Sequence, residues 1–350
     1  MIATPTLSES PAARSTSKLL PSLGIVLVTG GLFVLGWFTY LWFKPEPPPY
    51  RYQLIEEGGV EKFEKLGLET FPNLSISMFE VRMDSVDKPL AVAYRASRAG
   101  SVPILLHWEN HFPEPINFLG GMFSETTAVS SAIAKHVPKD AVILAWWDIS
   151  RQIGLLSERD TLFTSHLGRP VIAPSYWRER QHTIEQYEQE FWGAQGPEEE
   201  NGRFDRFVEA LISYPSEGAS ILRELAGSRE AYIVVHVSDI YKLGLLRPER
   251  IDVAFKDFPL TGNVHGLSGQ VKAWMVNNNY SAYTLQSLNE KEVRAYFLRE
   301  SGGSNSLLAK MLPFSKWRPM DLDALQLIHK EGGYWVYKIP PSDSPNGLSE

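Results

Sequence analysis

The longest apolar stretch of the chain runs from Leu19 to Phe43 without a charged side chain. An α-helix rises about 1.5 Å per residue, so about 20 apolar residues cross a hydrocarbon layer about 30 Å thick. Trp37, Tyr40 and Trp42 crowd its second half, as amphipathic rings do where a helix leaves a bilayer. A cleaved signal peptide has a shorter apolar core, followed by a small-x-small cleavage site. The pattern therefore predicts one transmembrane helix over 19–43, an uncleaved signal anchor with membrane lipid as its partner.

The charges that flank this span favour one orientation. Arg14 and Lys18 precede the span, and Lys44 and Arg51 follow it. With the amino terminus added, the small basic excess lies on the N-terminal side, which favours a cytoplasmic N-terminus. In a bacterium, most of the chain would then lie in the periplasm, attached to the inner membrane.

Outside the span, composition divides the chain into segments. Residues 1–18 are rich in Ser, Thr, Pro and Ala and predict a disordered cytoplasmic tail. Residues 44–50 contain four prolines and predict a semi-rigid stalk. We expect a globular domain over 51–340 and a second disordered tail over 341–350.

In the globular part, short apolar runs alternate with helical patterns, which indicates an α/β domain. The predicted strands are Val102–Trp108, Ala141–Asp148, Arg169–Ala173, Ala231–Val237, Ile251–Phe255, Val271–Val276 and Tyr334–Ile339, with edge strands at Ser75–Arg82 and Leu90–Arg95. The predicted helices are Ser124–His136, Ile149–Ser157, His182–Trp192, Arg203–Ser213, Ser220–Leu225, Glu290–Glu300 and Asp321–His329. The runs at 141–145 and 232–235 lack alternation, as strands buried on both faces do. We therefore expect a three-layer domain with a largely parallel sheet.

Composition excludes several functions. The chain has no cysteine, which rules out thiolate zinc sites, cysteine-held iron–sulfur clusters and the attachment motif of c-type haem. We therefore predict no cofactor. A formal net charge of −7 argues against a nucleic-acid partner, because phosphate binding needs a basic face.

The first candidate site is Trp146-Trp147-Asp148 with Arg151, at the end of a predicted buried strand. Ligands of open parallel sheets gather beyond the carboxyl ends of strands, so these side chains could face a ligand. The structural alternative is that Asp148 caps the following helix while the indoles fill the core. We favour that alternative.

The triplet resembles the Trp-Trp-Asp of oligosaccharyltransferase catalytic subunits, where it helps read the acceptor peptide at a similar strand end. Their chemistry depends on a many-helix membrane domain with acidic metal ligands, whereas this chain has one apolar span without an acidic residue. The resemblance implies a related soluble α/β domain and does not imply glycosyl transfer.

The second candidate site is His107, Glu109 and His111, whose imidazoles and carboxylate are the ligands that zinc and related metals prefer. The segment follows a strand-like run and precedes Phe112-Pro113, which blocks a helix, so the two imidazoles need not converge. Hydrogen-bonded loop side chains are the alternative that we favour.

The third candidate gathers polar side chains at other strand ends, chiefly His236 and Asp239, with His166 beside Arg169. The predicted strand-end cleft then comprises Trp146, Trp147, Asp148, Arg151, His107, His236 and Asp239. The chain has no G-x-S-x-G, G-x-G-x-x-G or P-loop, and no catalytic residue is assigned.

Taken together, the N-terminal span, the proline-rich exit, the stretch Ala145–Ile153 and the block Tyr232–Asp239 resemble the hydroxylamine oxidation protein B family, HaoB. Genes of that family lie beside the multihaem hydroxylamine oxidoreductase in ammonia-oxidising and methane-oxidising bacteria. The resemblance implies a membrane-anchored periplasmic accessory protein that docks or assists that oxidoreductase or a related cytochrome. The missing cysteines agree with a non-enzymatic role, since the haems would belong to the partner. The alternative is a ligand-binding or enzymatic α/β domain related to glycosyltransferase soluble domains.

Overall fold

A computed structural model of the chain describes residues 19–43, 47–112, 114, 116, 122–193, 196–260, 264–300 and 302–341. The chain forms two compact units, one ending at Pro47 and the other beginning at Pro48. The first contains helix α1, Leu19–Phe43, the one helix of the described residues that is long and apolar enough to cross a membrane. The predicted tail 1–18, residues 44–46 of the predicted stalk, and residues 342–350 of the predicted tail 341–350 lie outside the described residues.

The second unit combines helices and strands. The helices are α2 Phe123–His136, α3 Trp147–Ser157, α4 Gln181–Trp192, α5 Glu198–Ile212, α6 Pro215–Ala226, α7 Asp239–Leu246, α8 Val264–Asn277 and α9 Leu307–Met311. The strands are β1 Arg51–Gly59, β2 Leu74–Arg82, β3 Ala91–Arg98, β4 Ile104–Asn110, β5 Val142–Ala145, β6 Asp160–Thr161, β7 Ala231–His236, β8 Val253–Pro259, β9 Ala282–Ser287, β10 Glu292–Leu298, β11 Gln326–Glu331 and β12 Tyr334–Ile339.

The strands form mixed or antiparallel sheets, so the prediction of a largely parallel sheet is wrong. One sheet has the order β11-β12-β7-β5-β6, in which β5 pairs in parallel with β6 and β7, whereas β12 pairs antiparallel with both its neighbours. The other two sheets, β1-β2-β3-β4 and β8-β10-β9, are antiparallel throughout. Short connections join most of these strands, and a short connection returns the chain beside its own strand in the opposite direction.

Most predicted elements around the parallel pair are confirmed. Strands β5 and β7 lie inside the predicted runs at 141–148 and 231–237, and helices α2 to α6 cover the five helices predicted between residues 124 and 225. Every residue of β5 and of β7 is buried, as the absence of alternation indicated. The predicted edge strands at 75–82 and 90–95 are β2 and β3.

Four predicted elements are wrong. Val271–Val276 is part of helix α8, and Arg169–Ala173 is not a strand. Glu290–Glu300 contains strand β10 instead of a helix, and Asp321–His329 runs into strand β11. Short apolar segments satisfy helical and extended periodicities almost equally, and here pairing with neighbouring strands decides between them.

The main hydrophobic core packs α5 and α6 with the five-stranded sheet. Phe204 and Phe207 of α5 lie edge-on to the ring of Trp146, with centroid distances of 5.4 Å and 6.4 Å. Helices α5 and α6 approach closely at Gly218, where a Cβ atom would lie 2.3 Å from the carbonyl oxygen of Ala210. This packing fixes the carboxyl ends of β5 and β7, where the candidate site lies.

Candidate functional site

The candidate site forms where the neighbouring parallel strands β5 and β7 end and helices α3 and α7 begin. Strand β5 ends at Ala145 and α3 begins at Trp147, while β7 ends at His236 and α7 begins at Asp239. Because β5 and β7 pair in parallel, both strand-to-helix turns lie at one edge of the sheet.

A cluster of two buried ionic side chains and one half-buried carboxylate connects the two turns. Lys242 of α7 donates to Asp148 of α3 at 2.9 Å and lies 3.3 Å from a carboxylate oxygen of Asp239. Asp148 also accepts from the N–H of Ile149 at 2.8 Å in the first turn of α3. Trp146 is the N-cap residue of α3, so Asp148 is not the cap that the structural alternative proposed; it satisfies a first-turn N–H from inside the helix and joins α3 to α7. We call Asp148, Lys242 and Asp239 the ion cluster.

The cluster carries two carboxylates for one ammonium group, and its pKa values reflect this imbalance. Burial acts to lower the pKa of Lys242, but the charges of Asp148 and Asp239 outweigh it and raise that pKa. Burial raises the pKa of Asp239 to about 6, although Lys242 and the N–H of His236 act in the opposite direction. Asp148 adds to the rise because it is a second negative charge close by.

His236 is a buried neutral imidazole beside the ion cluster. Its Nδ1 lies 2.7 Å from the hydroxyl of Ser238, and its ring packs against Tyr334 with a centroid distance of 4.6 Å. Burial, and then the charge of Lys242, lowers the pKa of His236 to about 3. His236 therefore stays uncharged at neutral pH and contributes packing and hydrogen bonds instead of charge.

The two tryptophans share one backbone acceptor and have different neighbours. The Nε1 atoms of Trp146 and Trp147 lie 3.4 Å and 2.6 Å from the carbonyl oxygen of Arg169. Trp146 is 1% exposed and belongs to the core, whereas Trp147 packs edge-on against His166 at 4.6 Å. Trp147 is thus the indole that joins the ion cluster to the chain segment after β6.

A small cavity of about 40 Å³ lies between these elements. Its lining includes Trp146, Trp147, Asp148, Arg151, Gln152, His166, Glu188, Trp192 and Lys242. Three lining side chains each bury a polar atom without a hydrogen-bond partner among the described residues, namely Arg151 Nε, Gln152 Oε1 and His166 Nδ1. The volume has room for a few water-sized groups and is far below the 300–1,000 Å³ of typical ligand pockets.

Arg151 and His166 have strongly shifted pKa values. Burial lowers the pKa of Arg151 to about 10, so its guanidinium remains charged at neutral pH. Burial, and then the charge of Arg151, lowers the pKa of His166 to about 3. Both side chains are fixed by the fold, since Arg151 donates to the carbonyl of Pro103 at 3.1 Å and His166 contacts Trp147.

Glu200 holds the segment that leads to His166. It accepts from the backbone N–H groups of Thr164 at 2.6 Å and Ser165 at 3.1 Å. Burial acts to raise the pKa of Glu200, and these hydrogen bonds, with one from the Ser165 hydroxyl, outweigh it and lower that pKa. The carboxylate thus remains ionised and fixes the backbone next to His166.

His107 of β4 does not line the cavity. Its ring stacks between Tyr94 at 5.6 Å and Phe123 at 4.7 Å, and its Nε2 lies 3.6 Å from a carboxylate oxygen of Glu109. This contact with His107 is the main cause that lowers the pKa of Glu109. The backbone N–H of His111 donates to Leu90. Across the part of the chain that the structure describes, no group of three His, Asp or Glu side chains is placed to hold a metal ion.

The structure therefore brings together six of the seven predicted cleft residues and places His107 in another sheet. Sequence reasoning missed Lys242, because helix α7 was not predicted, and did not identify the role of Glu200. A signal for Lys242 is present: it is the lone charged residue of the apolar run Ile240–Leu246 and follows Asp239 by three positions. A buried lysine at that spacing needs a carboxylate partner.

The chain matches the model of a family described as "HaoA-associated protein HaoB" over residues 16–339. The chain belongs to the HaoB family. The predicted resemblance is confirmed, and its family description places the protein in association with HaoA, in hydroxylamine oxidation. No curated protein matches the chain.

Among solved structures, a crystal structure of the C. jejuni PglB C-terminal domain is similar, with 11% sequence identity and a TM-score of 0.37. The match covers 61% of this chain and 99% of that domain. At that TM-score, the similarity supports no inference about the present protein.

Proposed function

We propose that this HaoB family member is a membrane-anchored accessory protein whose globular unit docks or assists a multihaem hydroxylamine oxidoreductase in the periplasm. The family match carries the proposal, because the family is described as HaoA-associated. The matched region begins before α1 and ends at the last strand, so it includes both the apolar helix and the globular unit.

The chemistry of α1 supports the anchor. The helix has no charged residue, and large apolar side chains such as Leu27, Leu32 and Leu35 are exposed around it. The hydroxyls of Thr29 and Thr39 donate to carbonyl oxygens one turn earlier, at 2.8 Å and 2.7 Å. These two hydroxyls are therefore satisfied within the helix, as polar groups in the hydrocarbon layer need to be.

A second candidate function, a ligand-binding α/β domain, is favoured by one observation. The strand-end site contains buried, unpartnered polar atoms at and beside a guanidinium that stays charged at neutral pH. Such atoms are costly unless a ligand or water satisfies them.

The anchor is tested with a charged residue placed at two depths of α1. Arginine costs about 2.5–3.5 kcal/mol at the centre of a membrane helix and little near its ends, where the side chain reaches the headgroups. Leu32→Arg should therefore release much of the protein into the carbonate-soluble fraction, whereas Trp42→Arg should stay in the membrane pellet. Equal extraction of both variants and the parent chain would argue against a membrane span.

The partner is tested by affinity purification of the full, C-terminally tagged chain from detergent-solubilised membranes of its own organism. We expect a multihaem oxidoreductase to co-purify, visible by its haem absorbance. A tag that is protease-accessible in spheroplasts supports the periplasmic side. Recovery of the tagged chain without any haem protein would contradict docking, while leaving the result on the anchor intact.

A further inference from the structure

A groove of about 620 Å³ shares Arg151, His166 and Trp192 with the small cavity. Its walls come from the ends of β3 and α4, the start of β4, helix α3 and the segment after β6. Apolar side chains on these walls are Val102, Ile104, Leu155 and Trp192. The volume lies in the range of sites that hold small organic molecules.

Two arginines line this groove, and their partners differ. The guanidinium of Arg98 forms an ion pair with Glu158 at 2.6 Å and donates to two backbone carbonyls. The guanidinium of Arg151 donates to the carbonyl of Pro103, and among the described residues no carboxylate oxygen lies within 4.0 Å of it. Arg98 thus has a direct ion-pair partner, whereas Arg151 has none among the described residues and is attracted by Glu200 and Asp148 at longer range.

Arg151 is buried, and a buried arginine without a direct ion pair is unusual. Arg151 is 6% exposed, and its Nε has no hydrogen-bond partner in the described part of the chain. Buried charges in proteins are normally paired, because an isolated ion in a poorly solvated site is strongly disfavoured. The neighbouring His166, 7% exposed, also has an unpartnered Nδ1 and adds no negative charge. The described fold therefore leaves Arg151 without a direct ion pair at the wall of the groove, and Glu200 and Asp148 act on it as longer-range counter-charges.

We propose that the groove binds a small organic anion, a carboxylate on a short apolar body. The carboxylate would accept hydrogen bonds from Arg151 and from His166, while the apolar body packs against Ile104, Leu155 and Trp192. Within the described residues, Arg151 is the arginine of the groove without a direct ion pair, which suits a monoanion, and the apolar side chains favour an organic molecule over a strongly hydrated inorganic ion. This inference does not depend on the partner oxidoreductase, since it uses groups within the globular unit alone.

The first test compares a carboxylate with its neutral counterpart on the full chain in non-ionic detergent. Isothermal titration calorimetry with benzoate should show saturable binding at one site per chain. Benzamide, which keeps the ring and lacks the charge, should bind at least about tenfold more weakly. Absence of saturable benzoate binding, or equal affinity for benzamide, would overturn the proposal.

The second test uses variants of the groove. Arg151→Gln should weaken benzoate binding at least about tenfold while the chain stays folded, because the substitution breaks no direct ion pair among the described residues and loses the hydrogen bond to the Pro103 carbonyl. Val102→Glu adds a negative charge on the groove wall at a side chain that is 68% exposed, so it should fold normally and also weaken benzoate binding. Val276→Glu is the matched control, since Val276 is 65% exposed and lies on α8, outside the groove.

These variants separate the site from general charge effects. Equal loss in Val102→Glu and Val276→Glu would mean that benzoate responds to net charge, and would overturn the assignment of the groove. Unchanged affinity in a folded Arg151→Gln variant would do the same. If Arg151→Gln fails to fold, the comparison of the two valine variants decides.

Discussion

At the scale of single residues, the candidate site shows what a sequence predicts and what it leaves out. The pattern identified Asp148, Arg151 and Asp239 because polar residues directly after buried strands collect at one sheet edge. It did not show that Asp148 and Asp239 share one buried lysine, since Lys242 is recognisable as a partner only once α7 is in place. Nor could it show which of two arginines is left without a carboxylate. Charge pairing depends on distances between elements in the folded protein, and the spacing of residues along the sequence does not predict these distances.

The ion cluster predicts a large effect for one substitution. Lys242→Met would leave the buried Asp239 and the half-buried Asp148 without their counter-ion, and breaking a buried pair costs about 3–5 kcal/mol. We expect the free energy of unfolding, measured by urea denaturation of the detergent-solubilised chain, to fall by about that amount. Adding Asp239→Asn should restore part of it, because one of the two stranded charges is removed.

The control for this substitution is a surface lysine. Lys316 pairs with Glu300 at 3.0 Å, with both side chains well exposed, and exposed pairs contribute about 0–1 kcal/mol. Lys316→Met should therefore change the unfolding free energy little. A similar loss in both lysine variants would mean that the burial of the ion cluster has no special weight.

At the scale of elements, the secondary-structure prediction was correct for continuous apolar runs. It was wrong where a segment's structure is decided by pairing with neighbouring strands. The run 232–235 gave strand β7 correctly because four adjacent apolar residues fit a buried strand. Glu290–Glu300 is rich in helix-forming residues, yet it forms β10, the central strand between β8 and β9. Propensity is a weak preference, and pairing on both sides of β10 overrides it. The sequence has no local signal for such pairing.

Close packing of α5 against α6 predicts opposite effects for two glycine substitutions. Gly202→Ala on α5 has open space for its Cβ, so it should stabilise the protein by about 0.5–1 kcal/mol through helix propensity. Gly218→Ala on α6 would place its Cβ against the Ala210 carbonyl and Leu307, so overpacking should cost about 1–3 kcal/mol. Chemical denaturation of both variants measures the difference. Equal stabilisation by both would show that the two helices can separate without cost.

At the scale of the whole molecule, the alternation of strands and helices correctly indicated a mixed α/β unit and wrongly indicated a largely parallel sheet. In the described residues, parallel pairing is confined to β5 with β6 and β7, where helices intervene between strands. Strand β12 comes from the end of the chain and pairs antiparallel with β7. Such pairing between distant segments is set by the packing of the entire core. The strand-end site survives this error because it needs the parallel pair β5–β7 alone.

Buried titratable groups of the globular unit make its stability depend on pH. Two histidines and one aspartate contribute to this dependence with opposite signs. His166 and His236 have pKa values of about 3 in the folded protein, against an ordinary value of 6.5. Between pH 6.5 and pH 3 each histidine is protonated in the unfolded chain and neutral in the folded protein. Each therefore lowers the free energy of unfolding as the pH falls. Asp239 acts in the opposite direction, because its pKa is raised from 3.8 to about 6 and its stabilisation is lost as the pH rises through that window. The destabilising contributions of the two histidines together exceed the stabilising contribution of Asp239. The three groups together should therefore lower the free energy of unfolding on acidification from pH 6 to pH 4.

His166→Gln isolates one of these contributions. One buried neutral histidine changes the unfolding free energy by up to about 1.4 kcal/mol per pH unit, so the slope between pH 4 and pH 6 should decrease by about that amount in the variant. Urea denaturation at several pH values measures the slope, and His182→Gln, at an exposed position of α4, is the matched control. An unchanged slope in His166→Gln would mean that His166 takes up a proton in the folded state. Arg151 would then have a second positive charge beside it.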